Sequence, residues 1–187
     1  MEFDFFNTYF LELSEVSKNI NANEFNAFIR ELTLAYERQS HIFIFGNGGS
    51  GSTASHFCCD INKGVSLGKQ QRFKMICLND NMPTLLAYAN DISYDDVFIE
   101  PLKNFLSKDD LVIGISGSGN SKNILKAIDY ANQHEARTFG LCGYGGGKLK
   151  DIAQKSLVIH SNDMQKVEDL HMIILHCTMQ WLTKVIA

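Results

Sequence analysis

Apolar residues recur along the first forty positions with the spacing of amphipathic helices. Over residues 2–19 the apolar positions fall on one helical face, which carries Phe3, Phe6, Tyr9, Phe10, Leu13 and Val16. A second helix is predicted over residues 24–39, with Asn21 or Asn23 as its N-cap. Together they form a helical hairpin that either covers one face of the remaining domain or forms a subunit interface. The number of aromatic residues favours the interface.

From residue 40 onward, short apolar runs alternate with helical patterns. Runs of Val, Ile and Phe without alternating polar positions are typical of parallel strands buried on both faces. Strands are predicted at residues 41–45, 73–78, 111–115, 137–142 and 155–159. Helices are predicted near residues 50–62, 82–90, 95–106, 121–133 and 164–185. This order predicts an α/β protein, a three-layer doubly wound fold around a parallel sheet of about five strands.

The same pattern shows no linker, internal repeat or low-complexity tract. We therefore expect one domain over residues 1–187, made of N-terminal helices (1–39) and an α/β core with a C-terminal helix (40–187).

Two of the predicted strands run into loops of glycine and serine that open a helix. The first loop spans residues 46–52 and reads GNGGSGS, and the second spans residues 116–121 and reads SGSGNS. Glycine lets the backbone approach a ligand closely, and the N–H groups at a helix N-terminus favour an anion. One such loop alone is more often a simple turn. The glycine-rich stretch at residues 143–147 is interpreted equally as a plain turn or as part of the pocket lining. A matched pair predicts a site for a phosphorylated or polyhydroxylated small molecule.

Neither loop has the pattern of a nucleotide-binding motif. No Gly-Lys-Ser/Thr follows either loop, and neither forms Gly-x-Gly-x-x-Gly with a downstream acidic residue. The net charge of −4 gives no basic surface for nucleic acid or an anionic membrane. No apolar run is long enough to span a membrane, and Glu2 and Asp4 stand where a signal peptide would be basic. We expect neither nucleic acid nor membrane as a partner.

The cysteines are odd in number and lack paired metal-binding spacing. They lie within apolar segments, at Cys58, Cys59, Cys77, Cys142 and Cys177. We interpret all five as buried thiols of a cytoplasmic protein.

Histidine and carboxylate residues pair on two predicted helices. His56 and Asp60 are four residues apart on the helix after the first loop, and Glu168 and His176 share a face of the last helix. One such pair from each of two helices could form a zinc-type metal site, or each pair could be an ordinary polar rim. Spacing alone favours the rim.

These motifs, in this order, resemble the sugar isomerase (SIS) domain family, and within it the sedoheptulose 7-phosphate (phosphoheptose) isomerases. The resemblance covers nearly the whole chain. It rests on both glycine/serine loops, the His56 and Asp60 pair, Asn90-Asp91, and Glu168 with His176. It implies a cytoplasmic homotetramer that interconverts sedoheptulose 7-phosphate and a heptose 7-phosphate through a cis-enediol, supplying heptose for lipopolysaccharide or capsule. It also implies a divalent metal cofactor, zinc.

The resemblance assigns roles to individual positions. The substrate-binding residues it implies are Asn47, Gly48, Gly49, Ser50, Asn90, Asp91, Ser116, Gly117, Ser118 and Ser121, of which Ser116, Gly117, Ser118 and Ser121 would hold the phosphate. The implied metal ligands are His56, Asp60, Glu168 and His176. The implied catalytic residues are Glu168, His176 and Asp60.

Two of these positions depart from the family pattern. Asp60 stands where the family has Glu, which serves there as general base, and Glu168 stands where it has Gln. Because Asp is one methylene shorter, we expect Glu168 to be the base and Asp60 to remain a ligand. Two alternatives stay open: an isomerase of another sugar phosphate, and a non-catalytic SIS protein that binds a sugar phosphate or a protein partner in regulation or replication initiation.

Overall fold

The computed structural model describes residues 2–186, and within them five parallel strands form one sheet between two layers of helices. The strands are β1 (His41–Gly46), β2 (Lys74–Cys77), β3 (Leu111–Ser116), β4 (Arg137–Gly143) and β5 (Lys155–Ile159). The helices are α1 (Glu2–Lys18), α2 (Ala22–Arg38), α3 (Gly48–Cys59), α4 (Met82–Asp91), α5 (Ile99–Phe105), α6 (Lys122–Gln133), α7 (Gly147–Ile152) and α8 (Met164–Val185). The predicted doubly wound fold is confirmed. The predicted domain ends, residues 1 and 187, lie outside the described part of the chain.

The strand order places the two glycine/serine loops next to each other. The sheet runs β2-β1-β3-β4-β5, so β2 lies on one side of β1 and the chain then crosses to β3 on its other side. Gly46 at the end of β1 pairs with Ile115 near the end of β3. Ligands of doubly wound folds bind where the strand order reverses, outside the carboxyl ends of the strands. Both loops begin at this point.

Side chains of the central strands are buried on both faces of the sheet. In β1, Ile42 and Ile44 belong to one core cluster, whereas Phe43 and Phe45 belong to the other, and all four are fully buried. Burial of each such side chain stabilises the fold by roughly 1.5–3 kcal/mol. The absence of a polar alternation in the strand sequences follows from this two-sided burial.

Two predicted helices differ locally from their predicted form, and the stretch at residues 143–147 is a turn. The helix predicted over residues 50–62 begins at Gly48, ends at Cys59 and continues as a π-helical turn over Asp60–Val65. The helix predicted over residues 95–106 is split into a 3₁₀ turn, Tyr94–Asp96, and α5. Between these two parts the buried Val97 and Phe98 enter the core. The turn predicted at residues 143–147 leads into α7 through positive φ angles of 97° and 56° at Gly146 and Gly147.

Helix α1 contributes no buried residue to the described structure. Its apolar face includes Phe3, Phe6 and Phe10, which are 73%, 54% and 54% exposed. A polar contact ties α1 to α8: the Tyr9 hydroxyl donates to Asp169 at 2.6 Å. Of the two N-caps considered for α2, Asn21 is the one whose side chain accepts the capping N–H groups. The role of α1 in assembly stays a prediction.

The cysteine prediction is correct for three residues and wrong for two. Cys58, Cys77 and Cys142 are buried, and burial raises the pKa values of their thiols to about 11, 12 and 12. Cys59 and Cys177 are exposed, because they occupy outward-facing positions on α3 and α8. None of the five forms a disulfide. Within residues 2–186 no helix combines the length and the apolar content needed to cross a bilayer.

Candidate active site

The second glycine/serine loop, residues 116–121, which we call the serine loop, lines a small cavity at the N-terminus of α6. Ser116 Oγ lies 3.2 Å from Ser121 Oγ and accepts the Gly119 N–H at 3.1 Å. Ser121 is the N-cap of α6, yet its hydroxyl makes no capping bond to that helix. The cavity has a volume of about 130 Å³ and is lined by Asn47, Ser50, Ile115, Ser116, Gly117, Ser118, Ser121, Met164 and Glu168. Hydroxyl groups and a helix N-terminus around so small a space are suited to one phosphate group.

A larger cavity of about 510 Å³ lies on the other side of Asn47. It is lined by Gly46, Asn47, Gly48, Gly51, Ser52, Ser55, Asn79, Asp80, Met82, Leu85 and Tyr94. The Asn79 side chain is held against the backbone of Gly46, because it accepts the Gly46 N–H at 3.2 Å and donates to the Gly46 carbonyl at 2.8 Å. A Cβ at Gly51 would lie 2.9 Å from the Asn79 amide nitrogen, so this position has no room for a side chain.

Three of the four predicted metal ligands lie together between α3 and α8. His56 Nε2 is 2.9 Å from His176 Nε2 and 3.4 Å from Asp60 Oδ2, and His176 Nε2 is 3.8 Å from Asp60 Oδ2. Tetrahedral ligands at the usual zinc distances lie about 3.3–3.8 Å from one another. The two separations that involve Asp60 are in this range, whereas the 2.9 Å between the imidazole nitrogens is a hydrogen-bond distance that would lengthen by about 0.4 Å around an ion. Two imidazoles and one carboxylate are suitable ligands for a zinc-type ion.

Glu168 lies apart from this cluster. A Cβ at Gly49 would lie 2.6 Å from Glu168 Oε2, so the carboxylate packs directly against the first loop. Glu168 also lines the small cavity of the serine loop. Within the described residues, the group of ligand atoms mutually within 4.8 Å contains His56, Asp60 and His176 only. The fourth predicted ligand thus faces the cavity in which we expect the phosphate.

The remaining predicted substrate residues are divided between the cavities and the surface. Gly48 lines the larger cavity, and the buried Ser50 lines the smaller one. Asn90 and Asp91 are exposed at the end of α4, where the Asn90 amide donates to Asp91 at 2.8 Å. Neither lines the two cavities described above.

The chain is similar in sequence to a known domain family and to several of its members. A family model described as SIS domain matches residues 4–143. The chain belongs to the SIS domain family. The phosphoheptose isomerase of Helicobacter pylori is 39% identical over 140 residues, which cover 75% of this chain and 72% of the relative. The probable phosphoheptose isomerase of Thermoplasma acidophilum is 31% identical over 168 residues, covering 90% and 92%.

A solved structure extends the fold to almost the full SIS chain. Phosphoheptose isomerase GmhA from Neisseria gonorrhoeae superposes with a TM-score of 0.90 over 99% of this chain and 100% of its own, at 21% identity. At this identity the likeness shows the fold. It includes β5 and the C-terminal helix α8, which lie beyond the residues matched by the SIS family model.

Sequence reasoning missed several residues of this SIS site. Asn79 and Asp80 follow a predicted strand directly, and polar residues at that position are the signal that could have found them. No sequence signal singles out Tyr94 or Asn123, because both lie within ordinary polar stretches. On α8, His171 is fully buried and its Nε2 lies 3.0 Å from the Cys142 carbonyl oxygen. Burial lowers the pKa of His171 to about 4, so this ring is neutral at pH 7.

Proposed function

We propose that this SIS-domain protein is a ketose–aldose isomerase of a phosphorylated sugar, with sedoheptulose 7-phosphate as substrate. The observation that carries the proposal is the pairing of a phosphate-sized serine cavity with a cluster of two histidines and one carboxylate. Helix α3 connects the two, since it begins at the first loop and ends beside Asp60. A site for binding alone has no need of such a cluster.

The substrate phosphate would bind at the serine loop. Ser116, Ser118 and Ser121 line the small cavity, and Ser121 is the N-cap of α6. Fixing the phosphate there determines which carbon meets the catalytic groups. The larger cavity beside Asn47 has room for a hydroxylated carbon chain.

His56, Asp60 and His176 would hold a zinc ion. Bound there, zinc acts as a Lewis acid that polarises a carbonyl group. Their donor atoms lie within 4.8 Å of one another, which would allow one ion to contact all three once the two imidazoles move slightly apart.

Proton transfer falls to Glu168 and His176. A carboxylate takes the proton from the carbon beside the carbonyl, which gives an enediol, and returns it to the neighbouring carbon. We assign this role to Glu168, whose longer side chain lines the serine-loop cavity, so the reacting carbon would have to lie beside the bound phosphate; Asp60 lies between two imidazoles. Proton transfer between the substrate oxygens would use Nδ1 of His176, because its Nε2 faces the cluster.

We further propose that the protein is a homotetramer with its site near a subunit boundary. The exposed aromatic face of α1 supports an interface. In addition, Glu168 precedes His176 by eight residues on α8, a rise of about 12 Å. The carboxylate of one subunit and the cluster of another could therefore complete one site.

The test is turnover of a panel of ketose phosphates with five, six and seven carbons, followed by proton NMR with and without a chelator. We expect an aldose phosphate to form fastest from sedoheptulose 7-phosphate, and the chelator to slow the reaction. Binding of the sugar phosphates without any turnover would instead indicate a non-catalytic SIS protein.

A further inference from the structure

The side-chain amide of Asn47 is held by residues from two other segments. Its Nδ2 donates to Asn123 Oδ1 at 3.0 Å, and its Oδ1 accepts from Asn123 Nδ2 at 2.9 Å. The Tyr94 hydroxyl also donates to Asn47 Oδ1, at 2.9 Å. Asn123 is 2% exposed and lies in the first turn of α6, directly after the serine loop. This reciprocal amide pair therefore joins the first loop to the serine loop.

The orientation of both amides is determined by one backbone group. The Ile124 N–H donates to Asn123 Oδ1 at 2.9 Å, and an N–H group can only donate. The acceptor side of Asn123 must therefore face Ile124 and the Asn47 nitrogen. As a consequence, the Asn47 oxygen faces the Asn123 nitrogen, and neither amide can turn over without losing hydrogen bonds.

These hydrogen bonds leave the Asn47 side chain with one group that can bind a ligand, a single amide proton. The hydrogen bonds among residues 2–186 occupy both lone pairs of its oxygen and one of its two amide protons. The second Nδ2 proton remains, and Asn47 lines both the small and the large cavity. We propose that Asn123 is a positioning residue that makes Asn47 a dedicated hydrogen-bond donor at the boundary between the cavities. Its ligand there is an acceptor oxygen of the sugar phosphate, an inference that rests on the proposed function.

A double-mutant cycle tests whether Asn123 acts through Asn47. Binding of sedoheptulose 7-phosphate would be measured by calorimetry for Asn47→Ala, Asn123→Ala and the double variant. Each single variant should raise Kd about tenfold, and the double variant no further, because both lose the same positioned donor. Two results would overturn the inference: Asn123→Ala leaving Kd unchanged, or single effects that multiply to about a hundredfold.

A matched control separates positioning from general destabilisation. Asn132 lies on the same helix, and its half-buried amide bonds to Thr138 and Gln154, away from both loops. Asn132→Ala should lower Tm and leave Kd as it is in the wild type. If Asn132→Ala raises Kd as much as Asn123→Ala does, the effect of Asn123 is only structural and the inference fails.

A second readout needs no ligand. In a ¹⁵N-labelled sample, the two Nδ2 protons of Asn47 should differ in exchange rate, one protected by Asn123 and one free. In Asn123→Ala both should exchange quickly, and equal rates in the wild type would contradict the inference. If sedoheptulose 7-phosphate does not bind the wild type, the proposed function fails, while this exchange measurement still decides the role of Asn123.

Discussion

At the scale of residues, the two carboxylates that could act as the base have different surroundings. Asp60 lies 3.4 Å from one imidazole nitrogen and 3.8 Å from another, as a metal ligand would. Glu168 lies against Gly49 and faces the serine cavity. The first environment suits a group that remains in place, and the second suits a group that meets the substrate.

The Glu168→Gln variant distinguishes the role of general base from that of metal ligand. Glu168→Gln keeps the size of the side chain and removes the base, so kcat should fall by about 10²–10⁴-fold while zinc content stays at the wild-type level. Kinetics with metal analysis on the same samples would check this. Near-normal activity in Glu168→Gln together with loss of activity in Asp60→Asn would assign the base to Asp60.

His171 provides a separate prediction for stability. Its folded-state pKa of about 4 lies below the ordinary value of about 6.5, so the unfolded chain binds a proton that the folded chain excludes between these pH values. The free energy of unfolding therefore keeps the full contribution of the neutral ring above about pH 6.5, and this contribution decreases as the pH falls towards 4. At pH 5 the loss should be about 2 kcal/mol.

The check is urea unfolding at pH 7 and pH 5. His171→Gln can still donate to the Cys142 carbonyl but does not ionise, so it should lose about 2 kcal/mol less than the wild type on acidification. His134→Gln, at an exposed histidine, should behave as the wild type. Equal acid sensitivity in all three proteins would show that His171 does not contribute.

Several residues of the site could be predicted from the sequence, and others could not. Glycine and serine after a strand mark the loops, and the four-residue spacing of His56 and Asp60 places them on one helical face. The partner of Asn47 lies 76 positions away, and no local pattern identifies it. Such a contact depends on the order of the strands in the sheet, which cannot be derived from the local sequence pattern.

At the scale of elements, the strands are predicted more accurately than the helices. Each strand lies within one residue of its predicted bounds, because a run buried on both faces contrasts sharply with its polar flanks. The predicted helix over residues 95–106 is instead divided at Val97 and Phe98, which are both buried in the core. Tertiary packing of this kind overrides the local pattern.

Helix α1 carries the prediction on assembly. Its exposed phenylalanines should be buried between subunits, so Phe6→Glu/Phe10→Glu should dissociate a tetramer in sedimentation velocity. Phe105 is 62% exposed on a different helix, and Phe105→Glu should leave the tetramer intact. A wild-type protein that sediments as a monomer at micromolar concentration would rule out this assembly.

At the scale of the whole molecule, the sheet order brings the chemistry together. The strand order reverses between β1 and β3, so both loops open at the same crevice, and α3 and α8 bring His56 and His176 together nearby. The alternation of strands and helices predicts this fold class, whereas the volumes of the two cavities depend on side-chain packing. Fold and site together support one central claim, which is proton abstraction from a phosphorylated ketose.

Solvent isotope exchange tests that claim most directly. Sedoheptulose 7-phosphate would be incubated with the zinc-loaded protein in D₂O and followed by proton and deuterium NMR. An enediol route predicts deuterium at C2 of the aldose product and, on reversal, at C1 of the ketose, because a carboxylate base exchanges its proton with solvent. If the sugar phosphate binds while no deuterium enters either carbon and no aldose forms, the protein is not an isomerase of this substrate.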